Sequence, residues 1–337
     1  MKTDSIVTPS IDSLRPYLSA LRDAFARGAD KHAAHARAQT VLGDMAASRE
    51  ALTAVLEKHL TSPGAFDAKH YPVVALDIET NPHFGLVANC WIPLPDRDTD
   101  MSTKAIHHHG QMLLTTVTAY GPGYEHWTFT TPRAVDEQRD VYTMRLLERA
   151  PHPLGHAAFV EAYGAHVPFY PASLTITLAL WSSSRPTTWK DSLKRVPVLH
   201  KYSTPLRRIA ASAGFARMLD LKVAEYFDFF PAPEGFRSMK DREEFGRGPN
   251  EDYLHSLFHI LQQTRNESLG PLVRRALTGA ESASQAVALR LLDDLDRGRP
   301  IAGRLSPGHY GVPHANFRAV DIERALDASS TAAPLVR

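Results

Sequence analysis

The 337-residue sequence predicts an α+β protein: a mainly β core, built as an antiparallel barrel, between helical N-terminal and C-terminal regions. Three observations predict it. Apolar residues recur at helical spacing up to about residue 61. Short β-rich runs punctuated by turn residues fill the stretch from Tyr71 to about Trp181. Helical spacing returns after Pro186. The expected boundaries are 1–68 for a helical arm, 69–185 for the barrel, 186–326 for a helical region packed on it, and 327–337 for a small, polar, frayed tail.

In the arm, Leu14, Leu18, Leu21 and Phe25 fall on one helical face. A second stripe holds Val41, Met45, Leu52, Val55, Leu56 and Leu60, and Ser62-Pro63-Gly64 stops it. Seven β-like runs follow, at 72–78, 86–92, 111–120, 125–129, 141–147, 157–160 and 173–181. Gly121-Pro122-Gly123, Pro151-His152-Pro153, Pro168 and Pro171 separate several of them. Many short strands at close spacing indicate an antiparallel sandwich or barrel. Beyond Pro186, helices are expected over Leu206–Met218, Glu251–Gln263 and Ser284–Leu295.

Composition removes several classes of function. Lys and Arg number 38 against 37 Asp and Glu, so no global field draws nucleic acid or an anionic membrane. The single cysteine, Cys90, rules out an intramolecular disulfide framework and a CxxC zinc site. No apolar run approaches the roughly 20 residues of a membrane span, and Met1-Lys2-Thr3-Asp4-Ser5 has no apolar signal core. A cytoplasmic protein is expected. Neither a phosphate loop nor GxGxxG occurs. Histidine, at 17 residues, is abundant.

Ile106-His107-His108-His109-Gly110 leads into the β-rich run 111–120. Alternate side chains of a strand point to opposite faces, so His107 and His109 share a face and His108 turns away. Two neutral imidazoles side by side are ready metal ligands. A third is sought among His126, His152, His156 and His166. His166 is best placed, in Gly164-Ala165-His166-Val167-Pro168 before the strand at 173–181. His126 alternates on a strand and is a candidate acid/base or substitute ligand, or a satisfied core histidine. His152 and His156 flank a Pro-Leu-Gly turn and read as loop residues. Tyr120 and Tyr124 are candidate hydroxyl donors to a pocket.

Ala88-Asn89-Cys90-Trp91 followed by Ser102-Thr103-Lys104-Ala105-Ile106-His107-His108-His109 resembles the first metal motif of the cysteine dioxygenase group of cupins. Gly164-Ala165-His166, with the strand ending Leu178-Ala179-Leu180-Trp181-Ser182, is similar to their second motif. The resemblance covers about residues 70–185. It implies a cupin-like barrel holding one Fe(II) on His107, His109 and His166, with zinc, manganese or nickel as other metals such a site accepts. It also implies a non-haem iron dioxygenase or other oxygenase acting with O2 on a small amino-acid-like or thiol-bearing substrate. No nucleic acid or membrane partner is expected.

The sequence departs from that group in three ways. Trp181 stands where the group has a tyrosine near the end of the last strand. Cys90 precedes the histidine pair on a different strand, so a cysteine–tyrosine crosslink is not expected. Residues 71–96 contain no arginine to bind a carboxylate, so cysteine itself is not supported as the substrate. His126, Tyr120 and Trp181 are the expected catalytic residues. Two alternatives remain. A cupin-fold isomerase or lyase would use the same metal without O2. A helical metalloenzyme would centre on His255 and His259, which are i, i+4 on one helical face with Glu251 beside them.

Overall fold

A computed structural model describes residues 11–26, 29–62, 64–66, 73–184, 227–238, 250–279, 282–304 and 317–332. The helix expected at Leu206–Met218, and a basic stretch containing Lys190, Lys194, Arg195 and Lys201, lie outside the described residues.

The arm begins with a 3₁₀ turn at Ile11–Leu14, then α1 (Arg15–Ala24), α2 (Lys31–Ala47) and α3 (Arg49–Leu60). Pro16 opens α1, where its missing N–H costs nothing. The Asp30 carboxylate caps α2 by accepting from the Ala33 N–H at 3.0 Å, and the Ser48 hydroxyl caps α3 from the Ala51 N–H at 3.1 Å. Leu14, Leu18, Leu21 and Phe25 all point into the core, as their spacing requires.

Thirteen strands follow among the described residues. They are β1 (Val74–Thr80), β2 (Gly85–Trp91), β3 (Ile106–His108), β4 (Met112–Tyr120), β5 (Tyr124–Phe129), β6 (Arg133–Asp136) and β7 (Val141–Thr143). Then come β8 (Leu146–His152), β9 (Ala157–Val160), β10 (Ala165–Pro168), β11 (Thr175–Ser183), β12 (Phe227–Ala232) and β13 (Gly235–Ser238). Among the described residues, four further helices follow: α4 (Asn250–Gln263), α5 (Gly270–Ala276), α6 (Ser282–Asp296) and α7 (Ala319–Ala332).

The strands form two antiparallel sheets, ordered β1-β2-β11-β4-β9 and β6-β7-β13-β12-β3-β10-β5-β8. The sheets curl toward each other as a half-barrel around a cavity, and helices cover their outer faces. The first sheet sends Leu76, Leu86, Ala88, Cys90, Ile176 and Leu178 outward into the main core, where they meet Leu42, Leu56, Leu257 and Phe258 of the helices. The second sheet sends Ile106, Trp127, Phe129, Val167 and Phe229 outward against Ile322 and Ala325 of α7. Each Leu, Ile, Val or Phe among them contributes about 1.5–3 kcal/mol on full burial. Among the described residues, no helix is long and apolar enough to cross a membrane.

Beyond the short strands β3, β6 and β10 and helix α5, which the expected runs did not include, the observed elements depart from expectation in three places. The run at 141–147 is two strands, because Thr130 bonds both the Arg145 N–H and its carbonyl and turns the chain there. Residues 227–238, expected within the helical region, form β12 and β13 and extend the second sheet. The tail does not fray from residue 327. Burial of Ile322 and Ala325 carries α7 on to Ala332.

The chain passes from β4 in one sheet to β5 in the other through the turn Gly121-Pro122-Gly123. Gly121 has φ +82°, and a Cβ there would stand 2.0 Å from the Leu174 carbonyl oxygen. That oxygen belongs to backbone and cannot swing aside. Gly121→Ala therefore destabilises the protein by about 1–3 kcal/mol, read as a lower denaturation midpoint at unchanged m-value. An unchanged midpoint would refute this account of the turn.

Candidate metal centre

Strand β3 lies between β10 and β12. His107 pairs directly with His166 on one side and with Asp228 on the other. Cross-strand partners hold their Cβ atoms about 4.5–5.5 Å apart. The His107 and His166 rings accordingly approach to 4.2 Å between centroids. His109 follows the end of β3, where Gly110, at φ +58°, turns the chain. Its ring lies 4.9 Å from that of His107 and 5.3 Å from that of His166. One ring nitrogen from each histidine converges, all three within 4.8 Å of one another.

The expected alternation holds across this stretch. His108 turns to the other face and stacks on Phe227, with centroids 4.5 Å apart and rings 17° from parallel. The Gly110 N–H donates to its Nδ1 at 3.1 Å.

Second contacts fix the ligand rings. The His107 Nδ1–H donates to the Ala105 carbonyl at 3.0 Å, which leaves the lone pair on Nε2. His166 Nδ1 meets His126 Nε2 at 2.9 Å, and with the proton on Nδ1 the His166 Nε2 is likewise bare. The Nε2 atoms of His107 and His166 are buried and have no hydrogen-bond partner. A buried polar atom without a partner is costly, and an ion on these nitrogens removes that cost. Burial, helped by the nearby Lys104 ammonium, holds the pKa of His107 well below the ordinary imidazole value. For His166, burial leads and His126 is the next contributor. Both rings are therefore neutral, the form that binds metals. Side chains and chemistry alike fit a divalent transition metal.

The cavity has a volume of about 440 Å³. Every second residue of the surrounding strands faces it: Ala75 and Asp77, Val87, Asn89 and Trp91, Leu114 and Thr116, Tyr124 and His126, and Thr177, Ala179 and Trp181. Lys104 and the buried Asp228 add charge near the triad.

His126 reaches the site as a partner of His166. Trp181 also lines the cavity and packs over Gly85, where a Cβ would lie 2.6 Å from the indole. It forms part of the cavity wall. Tyr120 is not brought to the site. Its hydroxyl donates to the Gln263 carbonyl of α4 at 2.5 Å. The reason is a bulge. Thr177 pairs with Thr118 but Ile176 pairs with Tyr120, so Ala119 is extra and the alternation flips beyond it. Tyr124, two residues before His126 on the same strand face, is the tyrosine that lines the cavity. Cys90 faces the helical core between cavity-facing Asn89 and Trp91, and burial pushes its thiol pKa up.

On α4, His255 Nε2 lies 3.7 Å from Glu251, and His259 Nδ1 donates to the Ile301 carbonyl at 2.7 Å. Among the described residues, the triad is the one group of three donors close enough to share an ion. His152 is not a loop residue. It ends β8, is 1% exposed and bonds Thr116. Sequence reading also passed over Asp228, Thr116 and Thr177. The alternation Phe227-Asp228-Phe229 was its only trace of Asp228.

No family model and no curated protein matches the chain. Solved structures match part of it. A Thermus thermophilus protein is 14% identical over 33% of this chain and 83% of its own, with a TM-score of 0.23. A conserved Klebsiella pneumoniae protein with a double-stranded β-helix domain is 10% identical over 35% of this chain and 84% of its own, with a TM-score of 0.22. An oxalate oxidase is 11% identical over 47% of this chain and 75% of its own, with a TM-score of 0.22. What the site does is decided by its own residues.

Proposed function

We propose that the protein is a mononuclear non-haem iron oxygenase acting with O2 on a small amino-acid-like or thiol-bearing substrate. The observation that carries this reading is the convergence of one ring nitrogen from each of three histidines, His107, His109 and His166, with no carboxylate in the set. A ferrous ion held this way keeps its full positive charge and open positions, and when bound it supplies electron transfer between substrate and O2.

The chain's own residues do the rest. The Ala105 carbonyl and His126 hold two ligand rings in orientation and set their tautomers. The Lys104 ammonium attracts a carboxylate or thiolate into the cavity, and the Asp228 carboxylate suits a substrate ammonium. Val87, Leu114, Ala179 and Trp181 make one wall apolar and keep water from competing there.

The test is metal analysis of anaerobically purified protein, then oxygen-electrode assays with a panel of small thiols and amino acids. About one iron per chain and substrate-dependent O2 uptake are expected. The second reading is a metal-dependent isomerase or lyase that does not use O2. It is favoured by the Tyr124 hydroxyl and Asp228 carboxylate in the cavity, groups that move protons without redox change. Full turnover under nitrogen would select it over the oxygenase.

A further inference from the structure

The inner face of the first sheet changes character along its strands. Asn89 pairs with Thr177 in one row of cross-strand partners. Two rows on, Gly85, Trp181, Leu114 and Val160 pair in turn, and polar side chains are absent from that row. Val87 and Ala179, from the row between, join Trp181, Leu114 and Val160 in an apolar cluster. That cluster stands apart from both helix-packed cores. Val87, Leu114, Ala179 and Trp181 line the cavity.

This wall is built in advance. The Trp181 indole fills the space where a side chain at position 85 would stand, since a Cβ on Gly85 would fall 2.6 Å from it. Behind the wall, the buried His35 of α2 bonds Thr115 of β4 through Nδ1 at 2.8 Å and Ser182 of β11 through Nε2 at 2.9 Å. Those two residues adjoin Leu114 and Trp181, so the imidazole clamps the strands that carry them. The second sheet supplies the triad and Asp228. A molecule in the cavity thus meets imidazoles and charge on one side and an apolar surface on the other. The volume of about 440 Å³ falls among the roughly 300–1,000 Å³ of pockets that hold drug-sized ligands, more than a bare short-chain acid fills.

We propose that the ligand of this cavity is an amphiphile, with an anionic head directed to the triad and Lys104 and an apolar body, about the size of a phenyl ring, seated on Trp181, Leu114 and Val87. This rests on the reading of the triad as a metal centre that receives the substrate, and it narrows that substrate to acids or thiols bearing a hydrophobic group. The wall gains binding by taking apolar surface of the body out of water, and the indole adds an aromatic face. A body carrying polar groups would bury them there without partners, which is the cost that excludes it. Trp181 and Leu114 determine specificity by touching the body. Gly85 is a positioning residue that acts through Trp181.

The test is calorimetric titration of full-length, zinc-loaded protein with two probes, propanoate and its phenyl derivative hydrocinnamate. They share a head and differ in the body. Hydrocinnamate binds at least about tenfold more tightly. Trp181→Ala lowers its affinity on the order of tenfold and leaves that of propanoate unchanged, whereas Trp181→Phe keeps a ring on the wall and retains most of the preference. Gly85→Ala, whose methyl forces the indole off its seat, reduces the preference in the same direction. Val87→Thr does so with the side-chain shape preserved, because it places a hydroxyl in the wall. Equal affinities of the two probes in the unaltered protein would overturn the proposal. So would no binding of hydrocinnamate, or an equal loss for both probes in Trp181→Ala. A preference that survives in His107→Ala with both affinities unchanged would instead keep the apolar seat and refute the metal reading.

Discussion

Replacing His107, His109 or His166 with alanine empties the metal centre. Metal per chain, measured by mass spectrometry after anaerobic purification, falls from about one to below about a tenth. Loss of a partner that only orients a ligand costs about 10–100-fold in affinity, and loss of one donor in three costs more. The variants separate along the structure. His126→Ala removes the bond to His166 Nδ1 and gives the intermediate loss, about 10–100-fold. His108→Ala keeps the metal, because that ring stacks on Phe227 on the far face. Far-ultraviolet circular dichroism should show the fold intact in all of them, since the ligand rings border an existing cavity. Full metal content in all three triad variants would sink the assignment.

Metal-free protein unfolds on mild acidification, between about pH 5 and 6, well above the range where carboxylates protonate. Burial lowers the pKa of His35, His59, His108 and His126 to about 4 and that of His152 to about 3. His107 and His166 also lie well below the ordinary value. In the unfolded chain these imidazoles titrate near about 6.5. Below that value the unfolded state takes up protons that the folded state refuses, so stability is full above about pH 6.5 and falls as pH drops toward the folded values. Each group costs up to about 1.4 kcal/mol per pH unit in this window. By about pH 5.5, five such groups remove several kcal/mol, comparable with the ~5–15 kcal/mol that holds a whole domain folded. Metal bound to the triad requires deprotonated ligands and stabilises only the folded state, so loading moves the transition to lower pH. Tryptophan fluorescence against pH, with and without metal, checks both statements. A metal-free transition confined below about pH 4 would show that carboxylates, and not the buried histidines, control acid stability.

By itself the sequence determined whatever local periodicity encodes. Helical stripes placed Leu14, Leu21 and Phe25 in the core, and turn residues bounded most strands. The two-residue period of a strand put His107 and His109 on one face with His108 outside, and His166 fell opposite His107. The tertiary structure decided what depends on register and on distant pairing. A single extra residue at Ala119 sends Tyr120 to the helices and leaves the cavity to Tyr124. No residue type announces such a bulge, since its energy is set by the partner strand. Strand β12 brings Asp228 beside His107 from 121 positions away. Only four of its residues, Phe227 to Phe230, precede Pro231, and they show too little period to be read alone. His152 looked like a loop residue between two prolines, and only the strand pairing of β8 buried it against Thr116. Contacts within an element leave their period in the chain. Contacts between elements leave none, because they are fixed by how the sheets curl and the helices close over them.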